Sequence, residues 1–298
     1  MFVQSIPLFR FPRTHHIEGS RLQPGDSACE QMPLKRLAGR WVVLEEKIDG
    51  ANSGVSFAPD ASLLLQSRGH YLLDGAVSRQ FRPFLPWARA HEAALLERLE
   101  DRYVMYGEWA YAKHSVYYDR LPHFFHEFDV YDRLSGEFLS TPRRRELLQG
   151  LPVLSVPVLY EGPLPDKPAL LWKLVVHSLA KSANWKAAFE SSVLREALPL
   201  ELTWQQTDKS DKAEGLYIKV EENGKVVERY KLVRHDFVQA ILDSGSHHTR
   251  RPVLPNGLAP GVELYLPKLA VTWEDLGLKT VRGLQELEAL SLPKGGRP

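Results

Sequence analysis

Lys47 sits where an apolar run meets a turn, in the string Glu46-Lys47-Ile48-Asp49-Gly50-Ala51-Asn52. A lysine amine is almost wholly protonated at neutral pH, so it is a weak nucleophile as it stands. Fixed beside cationic groups or a metal, or partly desolvated, it can lose its proton and attack an electrophile. The glycine would let a ligand approach the backbone. Alone, the string also fits a surface lysine before a hairpin turn. Further charged residues at strand edges follow it: Ser67-Arg68-Gly69, Tyr106-Gly107-Glu108-Trp109, Phe125-His126-Glu127-Phe128-Asp129-Val130-Tyr131, Ala213-Glu214-Gly215-Leu216-Tyr217-Ile218-Lys219, and Glu228-Arg229-Tyr230-Lys231-Leu232-Val233-Arg234.

Each string has a plain reading by itself. Glu108 and Glu214 would serve as solvated strand ends, Arg68 as a turn cap, and Phe128 as a core residue. Together and in this order they resemble the nucleotidyltransferase signature of the covalent ligase and capping-enzyme superfamily. The nearest resemblance is to the RNA ligase 2-like family of ATP-dependent RNA ligases, over about Trp41 to Arg234. The resemblance implies that Lys47 attacks ATP and carries AMP, with Mg²⁺ or Mn²⁺ as cofactor. It implies nucleotide contacts from Glu46 (adenine edge), Ile48, Asn52 (phosphate region), Arg68 (ribose or phosphate), Glu108 (ribose hydroxyls) and Phe128 (adenine stacking). It further implies metal binding by Glu108 and Glu214, and neutralisation of the α-phosphate by Lys231. The family's last motif carries two lysines; here the second basic residue is Arg229 or Arg234, with Arg229 preferred. The implied activity is an ATP-dependent RNA ligase joining 5′-phosphate and 3′-hydroxyl ends, its partners being RNA ends or a nicked duplex. The alternatives are a DNA nick ligase and a non-catalytic nucleotide- or RNA-binding protein of the same fold.

The elements that must hold these residues read as follows. Trp41–Glu46, Ser53–Phe57 and Leu63–Ser67 are strand-like, with a turn at Pro59-Asp60. Trp87–Glu100 has apolar residues at helical spacing. Arg102–Trp109 and Phe124–Tyr131 return to strand. Thr141–Gln149 reads as a helix capped by Thr141 with Pro142 at its first position. Val153–Tyr160 reads as one buried strand, and Pro168–Ala180 and Asn184–Ala197 as helices. Asn223-Gly224 predicts a hairpin between Glu214–Glu221 and Lys225–Val233. A short helix at Asp236–Leu242 and a broken one at Trp273–Leu290 close the chain. The class is α+β: mostly antiparallel sheets flanked by helices, as in an ATP-grasp-like ligase adenylation domain. It would span residues 1–234, with 1–40 an irregular lead-in, and residues 235–298 would form a small, mostly helical C-terminal segment. That segment is short and helical for an OB-fold, which argues against DNA ligases and capping enzymes.

Other residues are weaker candidates. The aromatic and basic stretch Tyr111–Asp119 would either lie beside the ligand or form an ordered loop packing its tyrosines. Arg143-Arg144-Arg145 reads as a solvated helix face before it reads as an RNA contact, and Arg250-Arg251 is equally ambiguous. His15-His16 and His247-His248 lack the partners a metal needs. Cys29, the single cysteine, excludes an intramolecular disulfide. With 38 basic and 37 acidic side chains the chain is near-neutral, which excludes a histone-like basic coat and leaves room for a local cationic groove. Neither an apolar span nor a signal-like start is evident, so a cytoplasmic protein is expected.

Overall fold

The structure, a computed structural model, describes residues 6–22, 31–72, 78–237 and 252–291. Cys29, His247-His248, Arg250-Arg251 and the body of the helix expected at Asp236–Leu242 lie outside these residues. The strands are β1 (His15–His16), β2 (Trp41–Glu46), β3 (Ala51–Phe57), β4 (Leu63–Ser67), β5 (Tyr103–Trp109) and β6 (Phe125–Asp132). They continue with β7 (Glu137–Leu139), β8 (Leu154–Ser155), β9 (Val158–Pro163), β10 (Gly215–Glu222), β11 (Lys225–Val233) and β12 (Val281–Arg282). They join in the order β12-β9-β2-β10-β11-β7-β6-β5-β3-β4, with β1 on β11 and β8 on β6. Only β1 on β11, β12 on β9 and β8 on β6 are parallel, so the α+β, mostly antiparallel reading holds.

The short β7 couples two halves of this sheet. It pairs with Lys225 and Val226 of β11 on one side and with Tyr131 and Asp132 of β6 on the other. Beyond β7 the β11–β7–β6 pairing does not continue, and inner side chains of the two halves touch, with Lys219 and Arg229 both against Asp129. In β2 and β10, alternate residues Val42, Leu44, Leu216, Ile218 and Val220 face one apolar core. Glu45 and Lys219 face the other way and pair with each other at 2.9 Å. The second core lies against β3 and β5, through Val55, Phe57, Met105 and Trp109, and takes in the helices at Phe84–Ala90 and Glu92–Leu99.

The expected turn of the β10–β11 hairpin is present, with Asn223 and Gly224 at φ 51° and 77°. Several elements differ from the sequence reading. The helix expected at Trp87–Glu100 starts at Phe84 and breaks at His91, whose backbone leaves the helical region. Val153–Tyr160 divides at Pro157, which has no N–H for a ladder; β8 and β9 then join different neighbours. The helix at Pro168 ends at Trp172, and a helix at Leu200–Gln205 was not foreseen. Thr141 is not the cap but the first residue of its helix. Its N–H and hydroxyl both donate to Glu221 Oε1, at 2.8 and 2.6 Å, so a β10 carboxylate satisfies the helix start.

The first 40 residues supply a strand instead of a wholly irregular lead-in. Residues 252–291 form turns at Trp273–Gly277 and one helix, Gly283–Ala289, not a continuous helix. Trp273 is buried in the second core and Leu287 in the first. Among the described residues, no helix is long and apolar enough to cross a membrane.

Candidate active site

Lys47 leaves the end of β2 with its N–H on Gly215 O at 3.0 Å. Its Nζ lies 2.8 Å from Glu214 Oε2, and the lysine side chain stays 28% exposed while Glu214 is 4% exposed. Gly215 makes this approach possible: a Cβ there would stand 1.9 Å from Leu232 O, so β10 and β11 could not close. Gly50 has a similar reason, since its Cβ would stand 2.7 Å from Trp109 O. On the neighbouring strand Asn52 is opposite Glu108, and Asn52 Oδ1 is buried with no partner. An unsatisfied acceptor in such a place is costly unless a ligand donor reaches it.

Asp49 is held from the Tyr111–Asp119 loop. Its Oδ2 accepts the Ser115 and Val116 N–H groups, both at 2.7 Å, and its own N–H donates to Tyr118 Oη at 2.9 Å. Val116, Tyr117 and Tyr118 are buried. This is the tyrosine-packing loop of the two readings, and it positions the Asp49 carboxylate, a role invisible in its composition.

The electrostatics are one-sided. Burial pulls the Lys47 ammonium down, but Glu214, Glu108 and Asp49 outweigh it and hold the lysine above its ordinary value. Burial pushes the Glu108 carboxyl up to about 8, with Lys47 opposing and Asp49 and Glu214 adding. Glu214 is raised by burial against the pull of Lys47, and Lys231 also lowers it. With nothing bound, Lys47 is an ammonium among three acids.

The other candidates divide. Lys231 is opposite Tyr217 on the inner face, two residues along β11 from the Gly215–Val233 rung that holds Lys47. Phe128 is half-buried and faces Tyr217, with ring centres 6.2 Å apart and planes at 37°. Arg68 is exposed just past β4, with no side-chain bond among the described residues. Ile48 is buried in the second core, so only its backbone is left to face a ligand. The Glu46 carboxylate is on the opposite face of β2 from Lys47. It is buried, accepts Ser178 Oγ at 2.5 Å, and is pushed by burial up to about 7.

The two candidates for a second basic residue are both engaged elsewhere. Arg229 lies 3.5 Å from Asp129 and over the Phe138 ring at 4.0 Å. Arg234 is buried and pairs with Asp208 and Asp236. Arg144 is neither on a solvated face nor an RNA contact: it is 1% exposed and bridges Glu45 and Glu127 at 2.9 and 2.6 Å. His16 is buried with Nδ1 on Ser20 Oγ, while His15 is exposed, so the pair does not converge on an ion. Among the described residues, no three His, Cys, Asp or Glu side chains form a metal cage. Glu108 and Glu214 are hard oxygen donors, and they fit a divalent cation that keeps waters and takes phosphate oxygens for the rest of its shell.

Sequence reasoning missed Tyr217, which was visible only as an aromatic residue three positions after Glu214. It marked the stretch holding Tyr118 but not the hydrogen bond from Asp49 N–H to Tyr118 Oη.

The family model described as RNA ligase matches residues 40–233. No curated protein matches the sequence. Among solved structures, a mutant Naegleria gruberi RNA ligase with ATP and Mn is 16% identical, with a TM-score of 0.48 over 77% of this chain and 57% of that one. A second mutant with ATP and Mn is 18% identical, with a TM-score of 0.45 over 68% and 52%. A mutant with AMP and Mn is 17% identical, with a TM-score of 0.45 over 74% and 59%. The matched part of this chain thus spans less than two thirds of the length of those proteins.

Proposed function

The chain belongs to the RNA ligase family, and from that premise we propose that it is an ATP-dependent RNA ligase working through a lysyl-AMP intermediate on Lys47. The observation that carries this reading is the Lys47 amine at 2.8 Å from Glu214, within the field of Glu108 and Asp49 at the end of β2. ATP is the first substrate. Lys47 first gives up one proton, for which Glu214 is the nearest acceptor. The amine Nζ then forms a bond to the α-phosphorus, the bond to pyrophosphate breaks, and the nitrogen releases a second proton, which the departing pyrophosphate carries. A 5′-phosphate oxygen of an RNA end then attacks the same phosphorus, and the N–P bond breaks to return Lys47. Finally a 3′-hydroxyl attacks the activated 5′-phosphorus, AMP leaves, and the strand is sealed.

Lys231 neutralises charge building on the α-phosphate. Asn52 Oδ1 and Glu108 are the acceptors available for ribose hydroxyls, and Phe128 offers a ring for the base, a contact worth roughly 1–3 kcal/mol in comparable sites. Asp49, anchored by three hydrogen bonds, keeps a fixed negative charge near the amine. A divalent cation held by Glu108 and Glu214 would supply positive charge that favours the neutral amine and screens the phosphates.

Incubation with α-labelled ATP and Mg²⁺ or Mn²⁺ should leave label on the denatured protein. Lys47→Ala should lose it and Lys35→Ala, on an exposed turn, should keep it. Absence of labelling under all metal conditions would sink this reading. Sealing of nicked duplexes with RNA or DNA on the 3′-hydroxyl side then separates an RNA ligase from a DNA nick ligase.

A further inference from the structure

The N-terminal residues are anchored on both halves of the sheet. On the β3–β6 side, Gln66 Nε2 and Tyr106 Oη both donate to Phe9 O at 2.8 Å. Tyr71 Oη donates to Pro7 O at 3.0 Å, and Arg10 reaches Gly69 O at 3.4 Å, next to Arg68. On the β10–β11 side, His15 and His16 lie parallel to Tyr230 and Lys231, and Ile17 N donates to Lys231 O at 3.1 Å. Val233 N donates to Ser20 Oγ at 2.9 Å. Between these anchors the strap touches both Phe128 and Tyr217, whose rings lie 6.2 Å apart and tilted by 37°. Phe11 is buried and meets Phe128 edge-on at 5.0 Å and 74°. Thr14 Oγ1 lies 3.0 Å from Tyr217 Oη.

We infer that the strap from Phe9 to Ser20 positions the nucleotide by setting the gap between Phe128 and Tyr217, with Phe11 and Thr14 as the residues through which it acts. This rests on the reading that the site takes ATP. A planar base touching a ring on each side at about 3.5 Å needs roughly 7 Å between them. The two rings stand 6.2 Å apart and tilted. Admitting a base at contact distance on both faces therefore takes a further separation of about 1 Å together with removal of the 37° tilt. Because the strap is fixed to both halves, it limits that movement and stops either ring from turning away. The same strap pairs with the backbone of Lys231, so the base gap and the phosphate-facing lysine share one support. Phe11 and Thr14 are positioning residues: they touch the rings, not the reacting atoms.

Loss of such support weakens ground-state binding and leaves the reacting groups at Lys47 in place. Thr14→Val, which keeps the shape and removes the hydroxyl, should raise the ATP KM for self-adenylation roughly three- to tenfold with kcat within about twofold. The ATP Kd from calorimetry should rise in parallel, and Thr14→Ser should restore both. Phe11→Leu, conservative in volume, should move KM and Kd in the same direction. Unchanged KM and Kd in both variants, with wild type labelling normally, would overturn the inference even if their melting temperatures fall. A wild type that binds ATP with strap-sensitive affinity but never becomes labelled would sustain the strap and sink the ligase reading. A wild type that binds no ATP overturns both.

Discussion

Two charged clusters lie on the inner face of the sheet, and they differ in balance and in access to water. The deeper one joins Glu45, Glu127 and Asp129 to Arg144, Lys219 and Arg229. Glu45, Arg144 and Lys219 are 1% exposed or less, and each acid has a basic partner. The outer one joins Asp49, Glu108 and Glu214 to Lys47 and Lys231, with Lys47 partly open to solvent. The deep cluster is matched in charge and tied to backbone as well, through Lys219 and the Phe128 carbonyl. It holds the halves of the sheet together by ion pairs, with both Asp129 oxygens and Arg229 Nε and Nη2 making no hydrogen bond. The outer cluster has three acids for two lysines, and its surplus negative charge develops only as Glu108, pushed up to about 8, ionises. Its acids hold the Lys47 amine, the proposed nucleophile, protonated until positive charge arrives. Access to water, and an acid able to exchange its proton for a metal, thus separate the cluster equipped for chemistry from the one that holds the fold.

The largest expected effect is in the outer cluster. Lys47→Ala should lower self-adenylation by more than about 10³-fold, because no other amine occupies that point and covalent transfer has no substitute route. Its denaturation midpoint should move less than that of the next variant. Arg144→Ala leaves Glu45 and Glu127 buried with lost partners, and should cost about 3–5 kcal/mol in urea-induced unfolding. Its surviving folded fraction should still label. If Lys47→Ala proved the less stable of the two, the division between the clusters would fail.

The pH dependence sharpens the same contrast. With its carboxyl pushed up to about 8, Glu108 is largely protonated at neutral pH in the free protein, so a metal must displace that proton. Apparent Mn²⁺ affinity should rise with pH and level off above 8, by up to about tenfold per unit below it. The stability sign is the reverse. A folded value above the ordinary 4.5 means that stability from Glu108 is full below 4.5 and is lost as pH rises through about 8. Glu108→Gln should flatten both curves, as read by metal titration and by thermal melts without metal.

What the sequence made legible follows from range. Strands β2 to β6 and the β10–β11 hairpin announce themselves by apolar runs and by Asn223-Gly224. Lys47, Glu108 and Glu214 lie at their ends, and their convergence could be expected from the family resemblance that their order carries. The deep cluster could not be foreseen. Arg144 stands in a triple-arginine run on a helix, and only the tertiary approach of that helix to β2 and β6 turns one of the three inward. Tyr118 lies in a stretch the sequence singled out, but its partner, like that of the strap, was hidden: both depend on hydrogen bonds to residues 69 and 203 positions away. Pro157 was readable as a break and outweighed the apolar run around it.

The smallest expected effect concerns the second basic residue. From the Gly215–Val233 rung that holds Lys47, Lys231 is two residues along β11 and Arg229 four. At about 3.3 Å per residue, Arg229 stands roughly 13 Å along the strand from that rung. Its guanidinium is taken up by Asp129 and by the Phe138 ring. Lys231→Ala should therefore cut adenylation by about a hundredfold or more, as expected for a charge at a developing oxyanion. Arg229→Lys keeps the charge beside Asp129 and should change adenylation by less than about threefold, while lowering stability by about 1 kcal/mol through the lost ring contact. A hundredfold loss of labelling in Arg229→Lys with stability intact would move Arg229 into the outer cluster and redraw the boundary between the two.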